Sequence, residues 1–254
     1  MDLPKEIPGL GKVVEGEDPQ SLEKVMSGQK LVMCDVETGQ RKKICTFSGI
    51  MSFGLSPDGQ KLAIMVTNAV SGQEELSIRM GNFSPDIVDE AYDREVNTEG
   101  SVVEPDIILS TPATRVLAFF WSPDSSKLLY LTSQRGNSNG VVQWCVFDMN
   151  TKRIARFAKF RPSGVFLTNF LTFFDQFSAT GSSPWSPESN AFAYPGRAVG
   201  PDDSETASSS EVKGLATTYS AWVQYLTGSE SGDGEPPPPV AVASNVEFAC
   251  WSPC

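Results

Sequence analysis

The chain has 254 residues, 40% of them hydrophobic, with 31 acidic against 20 basic side chains, a formal charge of −11 and no histidine. That length allows a sizeable core. The charge argues against nucleic acid as a partner, because phosphate contacts need clustered Lys and Arg. The missing histidine excludes Ser-His-Asp and Cys-His nucleophile systems, His-ligated metal and imidazole acid–base chemistry.

In chain order, the first stretch, MDLPKEIPGLGKVV, has prolines and charges where a signal peptide needs an apolar run. No later segment approaches the ~20 apolar residues of a membrane span. The expectation is a protein without export signal or span, with a cytoplasmic location favoured. Residues 1–29 read as an irregular segment, in which SLEKVMSGQK (21–30) has the one helical spacing. From residue 30 to 254 the pattern is that of short strands. LVMCDVETGQRKKICTF (31–47) reads as strand, Asp-x-x-Thr turn, strand, with Arg41-Lys42-Lys43 at the solvated hairpin end. FGLSPDGQKLAIM places a turn at Ser56 between two strands, and EELSIRMGN (74–82) is a decayed copy of the earlier hairpin. Residues 83–106 are acidic, lack strand pattern and are expected to be a mobile loop.

The next unit repeats the scheme. AFFWSPDSSKLLYLT (118–132) is strand, turn and strand, and WCVFDMNTKRIARFA (144–158) is a second Asp-x-x-Thr hairpin. SPWSPESNAFAYP and YSAWVQYLTGSESG form a third unit. Residues 197–214 and 228–239 are rich in Ser, Gly, Pro and acids and are expected to be mobile loops. Pro236–Pro239 read as a polyproline spacer. EFACWSPC opens a fourth copy.

The Ser-Pro serines Ser56, Ser122, Ser186 and Ser252 lie 66, 64 and 66 residues apart. A fixed period of this kind marks a repeat architecture. The repeated positions are Leu55, Ser56, Pro57 and Asp58; Trp121, Ser122, Pro123 and Asp124; Trp185, Ser186, Pro187 and Glu188; and Trp251, Ser252 and Pro253. Pro presets its backbone angle for a turn and Asp caps nearby amides. VLAFFW (116–121) does not alternate, so that strand is buried on both faces rather than one. Four short strands per repeat, packed face to face, make an all-β propeller of antiparallel blades, with about three full blades and parts of another. In that arrangement the repeated tryptophan wedges between blades.

The W-S-P-D-x-x-x-L-x-Y phrase followed by D-x-x-T-G resembles the TolB-type (PD40, WD40-like) β-propeller repeat. The same repeat builds the propeller of prolyl oligopeptidase and dipeptidyl peptidase IV-like enzymes. The run Phe173-Phe174-Asp175-Gln176-Phe177 before Trp185 is similar to a variant in TolB-like microbial proteins. The resemblance spans roughly 30–254 and implies a fold. Leu55, Glu188 and Cys254 depart from the repeat's Trp, Asp and Asp. Such propellers usually close with six to eight blades, so the resemblance implies a partial ring. The other expectation is a small ring in which the hairpin 31–47 completes the blade begun by 245–253.

The G-x-S-x-G spacing occurs once, in GNSNG (136–140), in a chain with no histidine to activate its serine, and no G-x-x-x-x-G-K-[ST] loop occurs. The acidic groups Asp86, Asp89, Glu90, Asp93 and Asp202, Asp203, Glu205 lack the alternating ligands and glycine of a calcium loop. Asp175, set among aromatics, reads as a hydrogen-bonded structural carboxylate. Five cysteines with no C-x-x-C pair read as buried small hydrophobes in a reducing compartment. The expectation is therefore no catalytic residue, cofactor or metal, and a binding or scaffold module for a protein or peptide partner. The alternative is the accessory propeller of a prolyl-oligopeptidase-type serine peptidase whose hydrolase domain lies outside this chain.

Overall fold

The computed structural model describes residues 29–34, 36–39, 41–47, 49–67, 73–81, 107–109, 111, 113–136, 140–170, 183–199, 219–226, 236–249 and 251. Among them the regular structure is thirteen strands and one π-helical turn. The strands fall into antiparallel blades that follow one another along the chain.

The first hairpin pairs β1 (Gln29–Cys34) with β2 (Arg41–Phe47) around the Asp-x-x-Thr turn. Gly39 has φ 71° there, a backbone angle that a side chain disfavours. The first blade has β3 (Ile50–Leu55), β4 (Lys61–Thr67), β5 (Glu74–Met80) and the two-residue β6 (Ile107–Ile108). The second has β7 (Thr114–Trp121), β8 (Lys127–Gln134), β9 (Val142–Asp148) and β10 (Ile154–Arg161). The third has an inner bridge between Trp185 and Phe192, then β11 (Ala191–Ala198), β12 (Ser220–Tyr225) and β13 (Val240–Ser244).

The fold class agrees with the sequence: an open series of β-propeller blades, in which no strand pairing among the described residues joins β1 and β2 to the segment 245–251. The second and third blades touch where Phe160 and Arg161 of β10 pair with Ala198 and Arg197 of β11. Gly196 is required at that junction, because a Cβ there would collide with the ring of Phe160.

The core explains the apolar runs. β7, β8 and β9 are buried on both faces. Phe119 and Tyr130, side by side across the β7–β8 pairing, look toward the first blade. On the opposite face Trp144 meets Phe120 and Phe160 of its own blade and Phe192 of the third. Burying each such side chain contributes about 1.5–3 kcal/mol, and edge-to-face contacts such as Phe157–Phe192 add to it. β4 divides its residues in the same way. Ala63 and Met65 join the main core, whereas Leu62 and Ile64 pack against Leu31 of β1.

Several expectations need correction. Gln29 and Lys30 belong to β1 rather than to a helical turn, and 21–28 lie outside the described residues. Arg197 and Ala198 belong to β11, because the strand extends to reach β10; the expected loop 197–214 is otherwise undescribed beyond Val199. Pro236–Pro239 are described, and the Pro237 carbonyl accepts a bond from Gln224. Cys34 is exposed, while Cys145 is buried as expected, and no disulfide joins them. The π-helical turn Phe166–Phe170 had no signal in the sequence pattern. No helix among the described residues is long and apolar enough to cross a membrane.

Candidate functional site

The repeated Ser-Pro positions form one geometry in three copies. Ser56, Ser122 and Ser186 each take a backbone bond to the residue five places on: Ser56 N to Lys61 O, Ser122 N to Lys127 O, and Ser186 N to Ala191 O, at 2.8–2.9 Å. Each serine hydroxyl accepts the amide of that same residue, at 2.9 Å from Lys61, 2.9 Å from Lys127 and 3.1 Å from Ala191. The carbonyl of each serine accepts the amide three residues later, from Gly59, Ser125 and Ser189. These three residues have φ of 68°, 60° and 59°. The unit is a type I turn followed by a left-handed residue, the geometry of a hairpin with a G1 bulge.

Asp58 and Asp124 lock the turn. Each accepts its serine's hydroxyl and the amide two residues on, and each has a lysine beside it. Burial works against the Asp124 carboxylate, but the bonds from Ser122 and Ser126 and the charge of Lys127 outweigh it and hold Asp124 at about 2. Asp58 is lowered too: burial opposes it, while the bonds from Lys61, Ser56 and Gln60 prevail. In the third copy Glu188 is exposed and takes no such part. The side-chain oxygen of Asn190 accepts the Ser186 hydroxyl at 3.1 Å instead.

Two bonds carry each turn across to the preceding blade. Trp121 Nε1 donates to the Gly54 carbonyl at 2.9 Å, and Trp185 Nε1 donates to the Phe120 carbonyl at 3.0 Å. The tryptophan wedge is therefore present at both described blade junctions. The second bond involves residues that the sequence reading passed over. Ser125 Oγ accepts the Asp58 amide at 2.9 Å, 67 residues away, and Ser189 Oγ accepts the Asp124 amide at 3.0 Å, 65 residues away. The sequence signal was present in Gly59, Ser125 and Ser189 at one offset from the repeated serine, with glycine in the first copy marking the left-handed position. Glu74 adds an ion-pair link at the first junction, to Arg115 at 2.9 Å and Arg135 at 2.7 Å.

The flanking copies differ. Leu55 has no indole to donate and is exposed on the free side of the first blade. Trp251 packs on Ala191, Ala193 and Val223 of the third blade, yet its Nε1 is buried with no hydrogen-bond partner among the described residues. Ser252, Pro253 and Asp175 lie outside the described residues.

This arrangement ties polar groups down instead of presenting them. Ser56, Ser122, Ser125, Ser186 and Ser189 are all buried. Burial pushes the Cys145 thiol up against the opposing bond from Thr132, and raises Tyr130 and Tyr194, which favours the protonated form of each. Among the described residues, no three His, Cys, Asp or Glu side chains come together to hold a metal ion.

No protein-family model and no curated protein matches the chain. Solved structures do. An oligogalacturonate lyase in complex with manganese aligns over 81% of this chain at 12% identity and TM-score 0.41. The β-propeller domain of the trilobed protease from Pyrococcus furiosus, with an open velcro topology, aligns over 86% at 12% and 0.43. An acylaminoacyl peptidase from Pyrococcus horikoshii aligns over 87% at 12% and 0.44. The chain spans 41%, 49% and 29% of those chains, less than half of each.

Proposed function

We propose that the chain is a non-catalytic, TolB-like β-propeller serving as a protein-binding or scaffold module. The observation that carries this reading is the fate of the repeated motif. Its serine hydroxyls and aspartate carboxylates are spent on closing their own turns, and Trp121, Trp185 and the Asp58 and Asp124 amides on joining one blade to the next, at 2.5–3.1 Å. The absence of histidine from the whole sequence supports it.

The test is turnover. The purified chain is expected to leave dipeptidyl-amide, aryl-ester and oligogalacturonate substrates unchanged, with and without added manganese. Turnover abolished by a single carboxylate substitution, such as Asp58→Asn or Asp124→Asn, overturns the reading. The other reading, an accessory propeller of a serine peptidase, rests on the W-S-P-D resemblance. A G-x-S-x-G hydrolase domain encoded in the same gene favours it, and further W-S-P-D repeats there favour the scaffold.

A further inference from the structure

We infer that the outer edge of β13 is a docking site for an extended, apolar peptide segment flanked by Lys or Arg, which adds to the third blade as a further strand. This rests on the reading of the chain as a binding module and names the chemistry of its partner.

The starting point is how the outer strands are protected. An open strand edge presents unpaired N–H and C=O groups that template pairing with another chain, and proteins blunt it with short strands or with charge. β6, outermost in the first blade, is two residues long. β10, outermost in the second, carries Arg156, Lys159 and Arg161. β2 opens with the exposed Arg41. β13 has neither device. It is five residues, Val-Ala-Val-Ala-Ser, with no charge, and all five are exposed, Val240 at 50% and Val242 at 60%. It ends its sheet, bonded to β12 alone among the described strands.

The edge is also held in place. Before it, the buried Gln224 donates its Nε2 to the Pro237 carbonyl at 2.7 Å. After it, the Val246 amide bonds the Tyr219 carbonyl at 3.0 Å. A strand fixed at both ends loses little freedom when a partner pairs with it, which favours strand addition. The register shift opposite Ala221 and Trp222 leaves Val242 without a partner on β12.

Charge selects the occupant. Glu247, three residues beyond β13, is exposed, and β12, β13 and the described residues around them, 219–226 and 236–249, contain no Lys or Arg. A second copy would bring the same acidic sequence, and the whole chain's −11 besides. A segment with basic flanks and apolar alternation meets both the charge and the bare strand.

The experiment titrates the full chain with the blocked peptide Lys-Lys-Val-Thr-Val-Thr-Val-Lys-Lys and with its Glu-flanked counterpart. The Lys-flanked peptide is expected to bind saturably at one per chain, at least tenfold tighter than the Glu-flanked one. It is also expected to slow amide exchange at 240–244. The double variant Val240→Lys, Val242→Lys, altered at exposed positions, is expected to bind it at least tenfold more weakly. Absence of saturable binding, equal affinity for both peptides, unchanged exchange at 240–244, or equal affinity in the double variant each overturns the inference. So does a chain that doubles its mass by light scattering at micromolar concentration and reverts in the double variant, since a second copy then holds the edge. Peptide failure without substrate turnover leaves the non-catalytic reading standing, whereas turnover overturns that reading whatever the peptide does.

Discussion

The inner strands of the first and second blades carry matched residues with opposite fates. Met51, Phe53 and Leu55 of β3 are 49%, 50% and 43% exposed, whereas Phe119 and Trp121 at the same repeat positions of β7 are 3% and 7% exposed. The backbone turn that follows each strand is the same. What differs is a neighbour. Phe119 closes on Gly54, whose added Cβ would sit 3.2 Å from its ring, and Trp121 reaches the Gly54 carbonyl. On the other side of the first blade, the cluster of Leu31, Leu62 and Ile64 reaches Ile50 at the start of β3 but leaves Met51, Phe53 and Leu55 bare. The repeat thus sets the shape of a blade, and the cross-blade bonds decide which apolar strand becomes core.

The largest expected effect contrasts the two wedge positions. Trp121→Ala removes a buried ring and its bond to the first blade, and should cost about 3–5 kcal/mol in chemical unfolding. Leu55→Ala, on the exposed counterpart, should cost less than about 1 kcal/mol. Equal losses at the two positions would mean that Leu55 is covered in solution.

The cross-blade serine should give a smaller, chemically graded response. Ser125→Ala removes the acceptor for the Asp58 amide while keeping φ at 60°, and should cost about 1–2 kcal/mol. Ser125→Gly loses the same bond but relaxes the left-handed backbone, and should recover about 1 kcal/mol of that loss. If the two substitutions are equivalent in urea midpoints, the left-handed backbone angle contributes nothing, and if Ser125→Ala matches wild type, the bond contributes nothing.

Acid should act on the turn carboxylates next. Both Asp58 and Asp124 lie below their ordinary value of 3.8 when folded, so each stabilises the protein above that value and loses its contribution as the pH falls. For Asp124 the loss runs from about 4 down to about 2. Asp124→Asn should flatten the fall in melting temperature across that window, and an unchanged slope would show that the Asp124 bonds add nothing to stability.

The smallest effect compares the two Asp-x-x-Thr turns. Lys152 has φ 58° where the first hairpin has Gly39 at 71°. Asp148 already caps the Asn150 and Thr151 amides there. Lys152→Gly should therefore stabilise by about 0.5–1 kcal/mol, read as a shift in urea midpoint.

Much of this was legible in the residues. Ser-Pro-Asp between apolar runs marks a hairpin because each residue has a distinct turn role, and the unbroken VLAFFW run marks burial on two faces. The bond from Ser125 to Asp58 was not legible, because a serine in a turn signals local backbone bonding and gives no hint of a partner 67 residues away. Gly196 likewise shows its role only once β10 arrives beside it. The exposure of Cys34 and of β3 depends on which neighbour is present, and composition does not carry that. The acidic and Ser-rich groups around Asp89 and Asp203 and the FFDQF run around Asp175 fall outside the described residues.

The most direct test of the cross-blade account is native-state hydrogen exchange at the Asp58 amide in wild type and Ser125→Ala. The account predicts that this amide is protected in wild type and exchanges much faster in the variant, while the Lys61 amide, held by Ser56 within the same hairpin, keeps its protection. Unchanged protection at Asp58 would show that the turn does not fasten one blade to the next, and loss of protection at both amides would show that Ser125 supports the fold as a whole and not that junction.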